Sequence, residues 1–286
     1  MDNLKAKKRH PEEIAVYSAI YVCAAFSVLL LLGIIVYVFA KGARRVNWAF
    51  LTGVTSILHG TVGIAGNILN TLIIILLTMI ITTPIGVGAA IYLNEYAKPG
   101  KLVTVIIFAT ETLAGIPSII FGLFGMLFFG QLCHMGYSLL TGSLTLTLMV
   151  LPLVTRNTQE ALKTVPDSFR TGAVGLGAGK WYTIRTILLP SAMPGIVTGV
   201  ILAIGRIIGE SAALLFTAGS AHLLPKTFNA FLEKIFHSGG TLTIQLYLSA
   251  SKGEFDVAFG IAVVLLVIVL LINFGTKRLA KKLEKH

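Results

Sequence analysis

The chain has 286 residues, of which 55% are hydrophobic and only 12% are charged, and its mean hydropathy is +0.86. A soluble domain carries about 25% charged residues, so this composition excludes an ordinary soluble protein. The net charge of +11 does not indicate nucleic-acid binding, because lysine and arginine collect on the cytoplasmic side of membrane proteins. Cys23 lies in an apolar run and Cys133 in a short loop, so neither a disulfide nor a metal cluster is indicated.

Long apolar runs predict six membrane-spanning helices. A span needs roughly 20 apolar residues, and membrane-spanning backbone is either helical or part of a closed barrel. Barrel strands would be about ten residues long with an alternating pattern, so we predict an all-α polytopic membrane protein. The first run is uncharged and too long for a signal peptide, and we expect it to be retained. The predicted spans are residues 14–40, 68–93, 102–131, 138–155, 193–216 and 257–273.

The distribution of lysine and arginine predicts that both termini lie in the cytoplasm. With the N-terminus inside, the basic clusters at both termini and in residues 156–190 fall on one side, which holds most of these residues. The cluster Lys41, Arg44 and Arg45 is a local exception, since it follows the first span on the outer side. We expect one transmembrane permease-like domain over residues 1–286.

Prolines and glycines interrupt two of the predicted spans. Pro84 in the second span should kink its helix, which is tolerated where neighbouring groups satisfy the freed backbone. The third span contains Pro117 and several glycines. We expect that helix to pack closely against others or to bend beside a cavity.

Residues 156–190, between the fourth and fifth predicted spans, are polar, basic and rich in glycine. Apolar residues recur there every three or four positions, which predicts a short helix with an apolar stripe. Asp167 follows Pro166 near the start of this helix, where a negative charge is favourable. The stripe consists of Leu162, Val165, Phe169, Ala173 and Leu176.

Closely spaced glycines should end that helix and allow the chain to reverse. A second helix is predicted from Lys180 to about Leu188, and it should stop before Pro190. The segment is then either a helical hairpin that docks into a groove of a cytoplasmic partner or an interfacial helix on lipid. The glycine spacing favours the hairpin. These glycines are Gly172, Gly175, Gly177 and Gly179.

Charged residues inside two predicted spans are candidates for a functional site. An ionisable group at the centre of a span costs at least about 2.5–3.5 kcal/mol. Arg206 and Glu210 lie four residues apart in the fifth span and should share one helix face. Gly205 and Gly209 precede them and predict close helix packing.

Two interpretations of this charged span stay open. In one, Arg206, Glu210 and Glu111 of the third span form ion pairs that only hold the helices together. In the other, Arg206 offers its guanidinium to a passing oxyanion, while Glu210 and Glu111 hold and neutralise it between passages. Both roles can coexist if the pairs break and reform.

The outer segment, residues 217–256, is too apolar for a free linker. Its apolar residues recur at helical spacing, which predicts an amphipathic helix that is interfacial or re-entrant. These residues are Phe228, Phe231, Leu232, Ile235 and Phe236.

The end of segment 156–190 resembles the EAA loop of ABC importer permeases. Gly177 is followed by nine residues and then by Ile187-Leu188-Leu189-Pro190, as in the G-x9-I-x-L-P end of that loop. The three positions that hold Glu-Ala-Ala in the motif are Thr171, Gly172 and Ala173 here. The resemblance implies that residues 156–190 are a cytoplasmic coupling loop for ATPase subunits. We expect the coupling residues to be Asp167, Phe169, Arg170, Gly172 and Gly177.

Further stretches resemble the PstA-type permeases of bacterial phosphate importers. The resemblance covers nearly the whole chain from the second span onward. It implies the fold of an ABC importer type I permease, a role in phosphate transport for an arginine and a glutamate of the fifth span, and no catalytic residue in this chain. The matching stretches are PIGVGAAIYLNEY (84–96), GIPSIIFGLFG (115–125), LPSAMPGIVTGVILAIGRIIGESAALLFTAG (189–219) and TIQLY (243–247).

The same resemblance implies the partners and the location. They are a PstC-like permease in a heterodimer, two ATPase subunits and an extracytoplasmic phosphate-binding protein, in the bacterial inner membrane with its lipid. The chain lacks the nucleotide-binding G-x4-G-K-[ST] motif, so we expect ATP to be bound by the partner and this chain to hold no cofactor or metal.

Two alternatives have other functions. One arginine does not identify the anion, so a permease for sulfate, molybdate or another oxyanion fits the same residues. An intramembrane enzyme acting on lipid phosphates would use Glu111, Glu210 and Arg206, with His134. No histidine lies within a predicted span, and no spacing indicates a nucleophile with its base, so we favour the permease.

Overall fold

The structure, a computed structural model, describes residues 11–56, 61–225 and 227–283. The basic N-terminal cluster used to predict the orientation lies outside the described residues. The first half of the chain contains α1 (Pro11–Gly42), a 3-10 turn (Ala43–Arg45), α2 (Trp48–Thr52), β1 (Val54–Ser56), β2 (Thr61–Ile64), α3 (Ala65–Ile91), a π-helical turn (Tyr92–Tyr96), α4 (Lys101–Gly115), α5 (Ser118–Gly125) and a second π-helical stretch (Met126–Leu132).

The second half is helical throughout its described elements. They are α6 (Leu139–Lys163), α7 (Asp167–Gly175), α8 (Lys180–Thr183), a π-helical turn (Ile184–Leu188), α9 (Leu189–Gly209), α10 (Ala212–Thr217), α11 (Phe228–Glu233), a 3-10 turn (Lys234–Phe236), α12 (Leu242–Ser251) and α13 (Phe255–Leu283). The all-α prediction is confirmed except for the antiparallel hairpin of β1 and β2. In it, the Thr55 hydroxyl donates to the Gly63 carbonyl at 2.8 Å.

Within the described residues, five helices are long and apolar enough to cross a membrane, and a bent helix pair makes a sixth candidate. Five of the six predicted spans are thus confirmed, and the third corresponds to the bent pair, which is not one helix. The α4 and α5 segments meet at an angle of 103°. Ile116 is extended at ψ 133°, the conformation that a residue before proline favours, and Pro117 then starts α5 in a new direction.

Two other predicted span boundaries were wrong. The fourth helix does not end at residue 155, since α6 continues to Lys163 with Ala161 and Leu162 buried on its inner face. It stops just before Pro166, which disfavours helical geometry in the residue before it. The fifth helix does not reach residue 216 unbroken, because α9 ends at Gly209 and α10 begins at Ala212.

The core is organised around α6, which packs against α3 on one side and α9 on the other. Glycines permit the close contact with α9. An added Cβ at Gly195 would lie 2.5 Å from the Cβ of Ala161, and one at Gly199 would lie 2.6 Å from that of Asn157. Residue numbers therefore rise along α9 as they fall along α6, so the two helices are antiparallel and their register is fixed.

The outer segment packs onto one end of this bundle. In α11 and the turn after it, Phe231 and Ile235 lie against the central core, whereas Phe228 and Phe236 are exposed. Lys234 is buried and donates to the carbonyl of Leu223. Burial lowers the pKa of the Lys234 ammonium group from its ordinary value.

Candidate coupling and translocation site

Residues 156–190 fold as a hairpin at the end of the bundle opposite the outer segment. The helix α7 begins at Asp167 after Pro166 and ends at Gly175. Gly177 then adopts φ +79°, a left-handed conformation that glycine takes without steric cost. The chain reverses there and enters α8 at Lys180, so the predicted short helix and glycine reversal are both present.

The predicted apolar stripe divides between two environments. Leu162, Val165 and Ala173 are buried, and the first two join Ile184 and Leu188 in a cluster at the base of the hairpin. The other two members of the stripe point outward, Phe169 being 47% exposed and Leu176 91% exposed. The tip therefore presents apolar side chains that this chain does not cover.

The second helix of the hairpin does not stop before Pro190. It passes through the π-helical turn Ile184–Leu188 and continues without a break, so that one helical rod runs from Lys180 to Gly209. Pro190 lies in the first turn of α9, where the wider π-helical turn before it accommodates the missing N–H donor. The second arm of the hairpin and the span that carries Arg206 thus belong to one continuous helical stretch.

Arg170 lies at the base of the hairpin and holds it to two other helices. Its guanidinium donates to Glu95 Oε1 at 2.9 Å and 3.3 Å, in the π-helical turn after α3. It also donates to the carbonyls of Leu162 at 2.9 Å and Val165 at 3.0 Å, at the end of α6. Asp167 in its own helix accepts a further bond at 3.0 Å.

The Arg170–Glu95 pair is shielded from solvent. The Glu95 side chain is 8% exposed and that of Arg170 is 23% exposed. The hydrogen bond to Glu95 raises the pKa of the Arg170 guanidinium above its ordinary value. Burial lowers this pKa, but the nearby charges of Glu95 and Asp167 raise it further. Lys180 adds a second tie, with its Nζ 4.8 Å from the ring centroid of Tyr96.

Arg206 lies in the last turn of α9, on the side away from the bundle. Its neighbours Ile207 and Ile208 are buried, while Arg206 itself is exposed. An added Cβ at Gly205 or Gly209 would meet nothing within 4 Å, so the predicted close packing at these glycines is not formed within this chain. Among the described residues, no carboxylate lies within 4.0 Å of Arg206.

Glu210 does not share a helix face with Arg206. It follows the end of α9 with an extended backbone at ψ 125°. Its carboxylate accepts from the backbone N–H of Ala213 at 3.1 Å and so caps the start of α10, while its carbonyl accepts from the Thr243 hydroxyl at 2.8 Å. The helix break therefore turns Glu210 away from the pairing that the sequence spacing predicted.

Glu111 lies near Arg156 and not near Arg206. Its carboxylate is 4.0 Å from the Arg156 guanidinium, which also contacts Glu160 at 3.3 Å. By the register of α6 and α9, Arg156 is level with residue 200 of α9, six residues before Arg206. At a rise of 1.5 Å per residue this separates the two arginines by about 9 Å along the axis.

Sequence reasoning missed Glu95 and Arg156. Glu95 directly follows a predicted span, where a carboxylate is ordinarily solvated, and 75 residues separate it from Arg170. Arg156 was assigned to the loop because the fourth span was predicted to end at residue 155. Within the described ranges, no three histidine, cysteine or carboxylate side chains are grouped so that they could hold a metal ion.

Alanine substitutions at two glycines of the hairpin should have opposite effects on its stability. Gly177→Ala should destabilise the hairpin by about 1–2 kcal/mol, because an L-residue pays that cost in the left-handed region. Gly172→Ala should be neutral or stabilise α7 by up to about 1 kcal/mol, since an added Cβ at Gly172 meets nothing within 4 Å.

Amide hydrogen exchange over α7, measured on the purified protein, checks this pair. Faster exchange in Gly177→Ala with unchanged or slower exchange in Gly172→Ala is expected. Equal exchange in the two variants would contradict the left-handed turn.

Known proteins are similar to this chain in sequence and in fold. Residues 82–286 match the family described as "Binding-protein-dependent transport system inner membrane component". A probable ABC transporter permease protein of Bacillus subtilis, YqgI, is 36% identical over 273 residues, covering 92% of this chain and 93% of the relative. The phosphate transport system permease protein PstA of Xylella fastidiosa (strain Temecula1) is 35% identical over 246 residues, with 84% and 82% covered.

A solved structure supports the fold independently. The crystal structure of a bacterial alginate ABC transporter, in complex with an alginate pentasaccharide-bound periplasmic protein, contains a chain that aligns with a TM-score of 0.71 over 96% of each chain at 14% identity. The resemblance to PstA-type permeases is confirmed by the relatives, and the apolar helices make the chain a multi-pass inner membrane protein. The chain belongs to the inner membrane components of binding-protein-dependent transport systems, the permease subunits of ABC importers.

Proposed function

We propose that this permease subunit imports inorganic phosphate at the expense of ATP hydrolysed by partner subunits. The sequence identity to PstA of Xylella fastidiosa over most of both chains supports phosphate as the substrate. The fold alone does not select it, because the alginate transporter shares the fold. The observation that carries the proposal is Arg206, an exposed arginine on an otherwise apolar helix with no carboxylate within 4.0 Å among the described residues.

Arg206 provides the recognition chemistry for a phosphate in the path. A guanidinium donates two parallel hydrogen bonds to an oxyanion and remains charged at any physiological pH. Because Glu210 caps α10, it positions the helix break next to Arg206, and its charge limits how tightly an anion is held. An anion that is bound too tightly could not leave the path.

The Glu111–Arg156 pair lies about 9 Å farther along the axis, by the helical rise. Both side chains are more than half exposed, so the pair can open at small cost. We propose that Arg156 meets the anion after Arg206, with Glu111 as its partner between passages.

Energy coupling follows from the hairpin. The exposed Phe169 and Leu176 fit an apolar groove on an ATPase subunit, and the Asp167 side chain, 92% exposed, lies at the start of α7 two residues before Phe169. Arg170 fixes the hairpin to the ends of α3 and α6, so it acts as a positioning residue. The unbroken rod from Lys180 to Gly209 then carries a displacement of the hairpin to Arg206.

The remaining partners follow from surfaces that this chain leaves open. No residue of α4 is buried, and the Arg206 side of α9 faces away from the bundle, so we propose a PstC-like permease opposite them. Two ATPase subunits dock on the hairpins, and an extracytoplasmic phosphate-binding protein delivers the anion at residues 217–256. This arrangement needs both termini and residues 156–190 in the cytoplasm, with no cofactor in this chain and no nucleic acid.

Site-directed crosslinking tests the docking. A cysteine at Asp167 should crosslink to a co-expressed ATPase subunit, because this side chain is exposed on α7. A cysteine at Ala173 is the matched control on the same helix and should not react, since Ala173 is only 6% exposed. Cys23 and Cys133 are replaced by serine in both variants.

Labelling of the Asp167 position by lipid-soluble probes alone would favour an interfacial helix and contradict the docking. Equal crosslinking from both positions would contradict the observed orientation of α7.

A further inference from the structure

A second cationic site lies far from the hairpin, where α1 ends. Lys41 is in the last turn of α1, and Arg44 and Arg45 form the 3-10 turn that follows. With Tyr37 and Asp256, these three side chains line a cavity of about 590 Å³. This volume lies within the range of roughly 300–1,000 Å³ that is typical of small-ligand sites.

The walls of this cavity are held in place by close packing of α1 on α13. The backbone of Gly42 lies so near the carbonyl of Phe259 that an added Cβ would clash with it. The Tyr37 ring packs edge-on against the Phe259 ring with centroids 5.7 Å apart. The Arg45 stem lies over Gly260, where an added Cβ would be 3.1 Å from its Cγ.

The three cations are not paired with a described carboxylate, although Arg45 has its Cζ 5.9 Å from the centroid of the Phe50 ring. Lys41, Arg44 and Arg45 are all exposed, and no carboxylate lies within 4.0 Å of any of them among the described residues. Asp256 lines the same cavity and Glu254 lies next to it beside Arg45, so the local charge remains positive. An unpaired cluster of this kind attracts anions.

The position of the cavity limits where an anion that binds there can come from. The helix α1 is a candidate span with none of its apolar window buried in this chain, so its apolar side chains are open to lipid. The cavity begins where this apolar run ends, and Tyr37 lies there, as tyrosines do at the level of lipid headgroups. A phosphate group reaching the cavity is therefore either a lipid headgroup or a free ion from the solvent beside it.

We propose that Lys41, Arg44 and Arg45 form a binding site for a phosphate-bearing anion, whose two possible sources are an anionic phospholipid headgroup and inorganic phosphate. The geometry favours neither source over the other. This site is separate from the Arg206 path and does not depend on the substrate of the transporter.

Tryptophan quenching distinguishes the two sources. Trp48 lies three residues after Arg45 and is 78% exposed, and the chain has only one other tryptophan, Trp181. In a Trp181→Phe background, brominated phosphatidylglycerol should quench Trp48 more than brominated phosphatidylcholine at equal mole fraction. The relative binding constant should fall about tenfold or more in Lys41→Gln/Arg44→Gln/Arg45→Gln, because each surface cation adds to the attraction.

The second arm measures radiolabelled inorganic phosphate bound to the protein in phosphatidylcholine nanodiscs. The site is assigned to the free ion if two results are found together. The triple variant binds less phosphate than the parent, and brominated phosphatidylglycerol does not quench Trp48 of the parent selectively. Lys101→Gln removes an exposed charge at the start of α4, away from the cavity, and should change neither result. The proposal is overturned if the triple variant matches the parent in both arms, with retained α-helical circular dichroism showing that it is folded.

Discussion

Replacing Arg206 by glutamine should reduce phosphate uptake about 100-fold while the transporter still assembles. The two charge-assisted hydrogen bonds that a guanidinium makes to a phosphate are together worth about 3 kcal/mol, which corresponds to a factor of about 100. Because Arg206 is exposed and makes no ion pair with a described residue, its loss should leave the fold intact. The measurement is ATP-dependent uptake of radiolabelled phosphate into proteoliposomes.

Two variants control this prediction. Arg206→Lys keeps the charge but loses the planar fork, so its uptake should be intermediate. Arg278→Gln removes an exposed arginine near the end of α13 and should leave uptake unchanged. Normal uptake by Arg206→Gln, in a preparation that contains every subunit, would rule out the proposed anion path.

Replacing Arg170 by methionine should detach the hairpin and abolish coupling. The substitution leaves Glu95 buried without its cation, and breaking a buried pair in this way costs about 3 kcal/mol or more. The carbonyls of Leu162 and Val165 lose their donor as well. We expect a lower thermal unfolding temperature, faster amide exchange over α7, and loss of the ATPase subunits on co-purification.

The matched variants for Arg170 separate its role from a general loss of charge. Arg185→Met makes the same substitution at an exposed position of the same segment and should retain the ATPase subunits. Adding Glu95→Gln to Arg170→Met removes the uncompensated charge and should recover part of the unfolding temperature. If Arg170→Met and Arg185→Met behave alike, Arg170 does not position the hairpin.

Local signals in the sequence account for much of the fold. Uninterrupted apolar runs are enough to place the spans, because lipid permits few other structures. The start of α7 near Asp167 and a reversal within the four closely spaced glycines were predicted from residues whose conformational preferences are strong. These features depend on neighbours along the chain, which a sequence shows directly.

The break between α4 and α5 depends on packing that a sequence does not show. Pro117 was expected to interrupt the third span, but the sequence does not give the 103° angle between α4 and α5, which also depends on how α5 packs on α10. An added Cβ at Gly122 would be 2.8 Å from Ala213, so the two helices meet closely. The end of α9 was not predicted either, because the sequence does not show that Glu210 leaves the helix and caps α10.

The Arg170–Glu95 pair illustrates a further limit. Arg170 was predicted to be a coupling residue, and the structure shows that its guanidinium points inward and binds Glu95. Long-range ion pairs of this kind have no periodicity, and no single sequence identifies the partner. The exposed apolar side chains of the hairpin include Phe169 and Leu176, two members of a stripe that helical periodicity assigned to one face.

The most direct test of the central claim is ATP-dependent uptake by the assembled transporter with competing oxyanions. The chain is purified with the subunits that accompany it from phosphate-starved cells and is reconstituted in vesicles. We predict uptake of radiolabelled phosphate that requires ATP and the binding protein and is unaffected by a large excess of sulfate or molybdate. Uptake of sulfate or molybdate in preference to phosphate would contradict the proposed function.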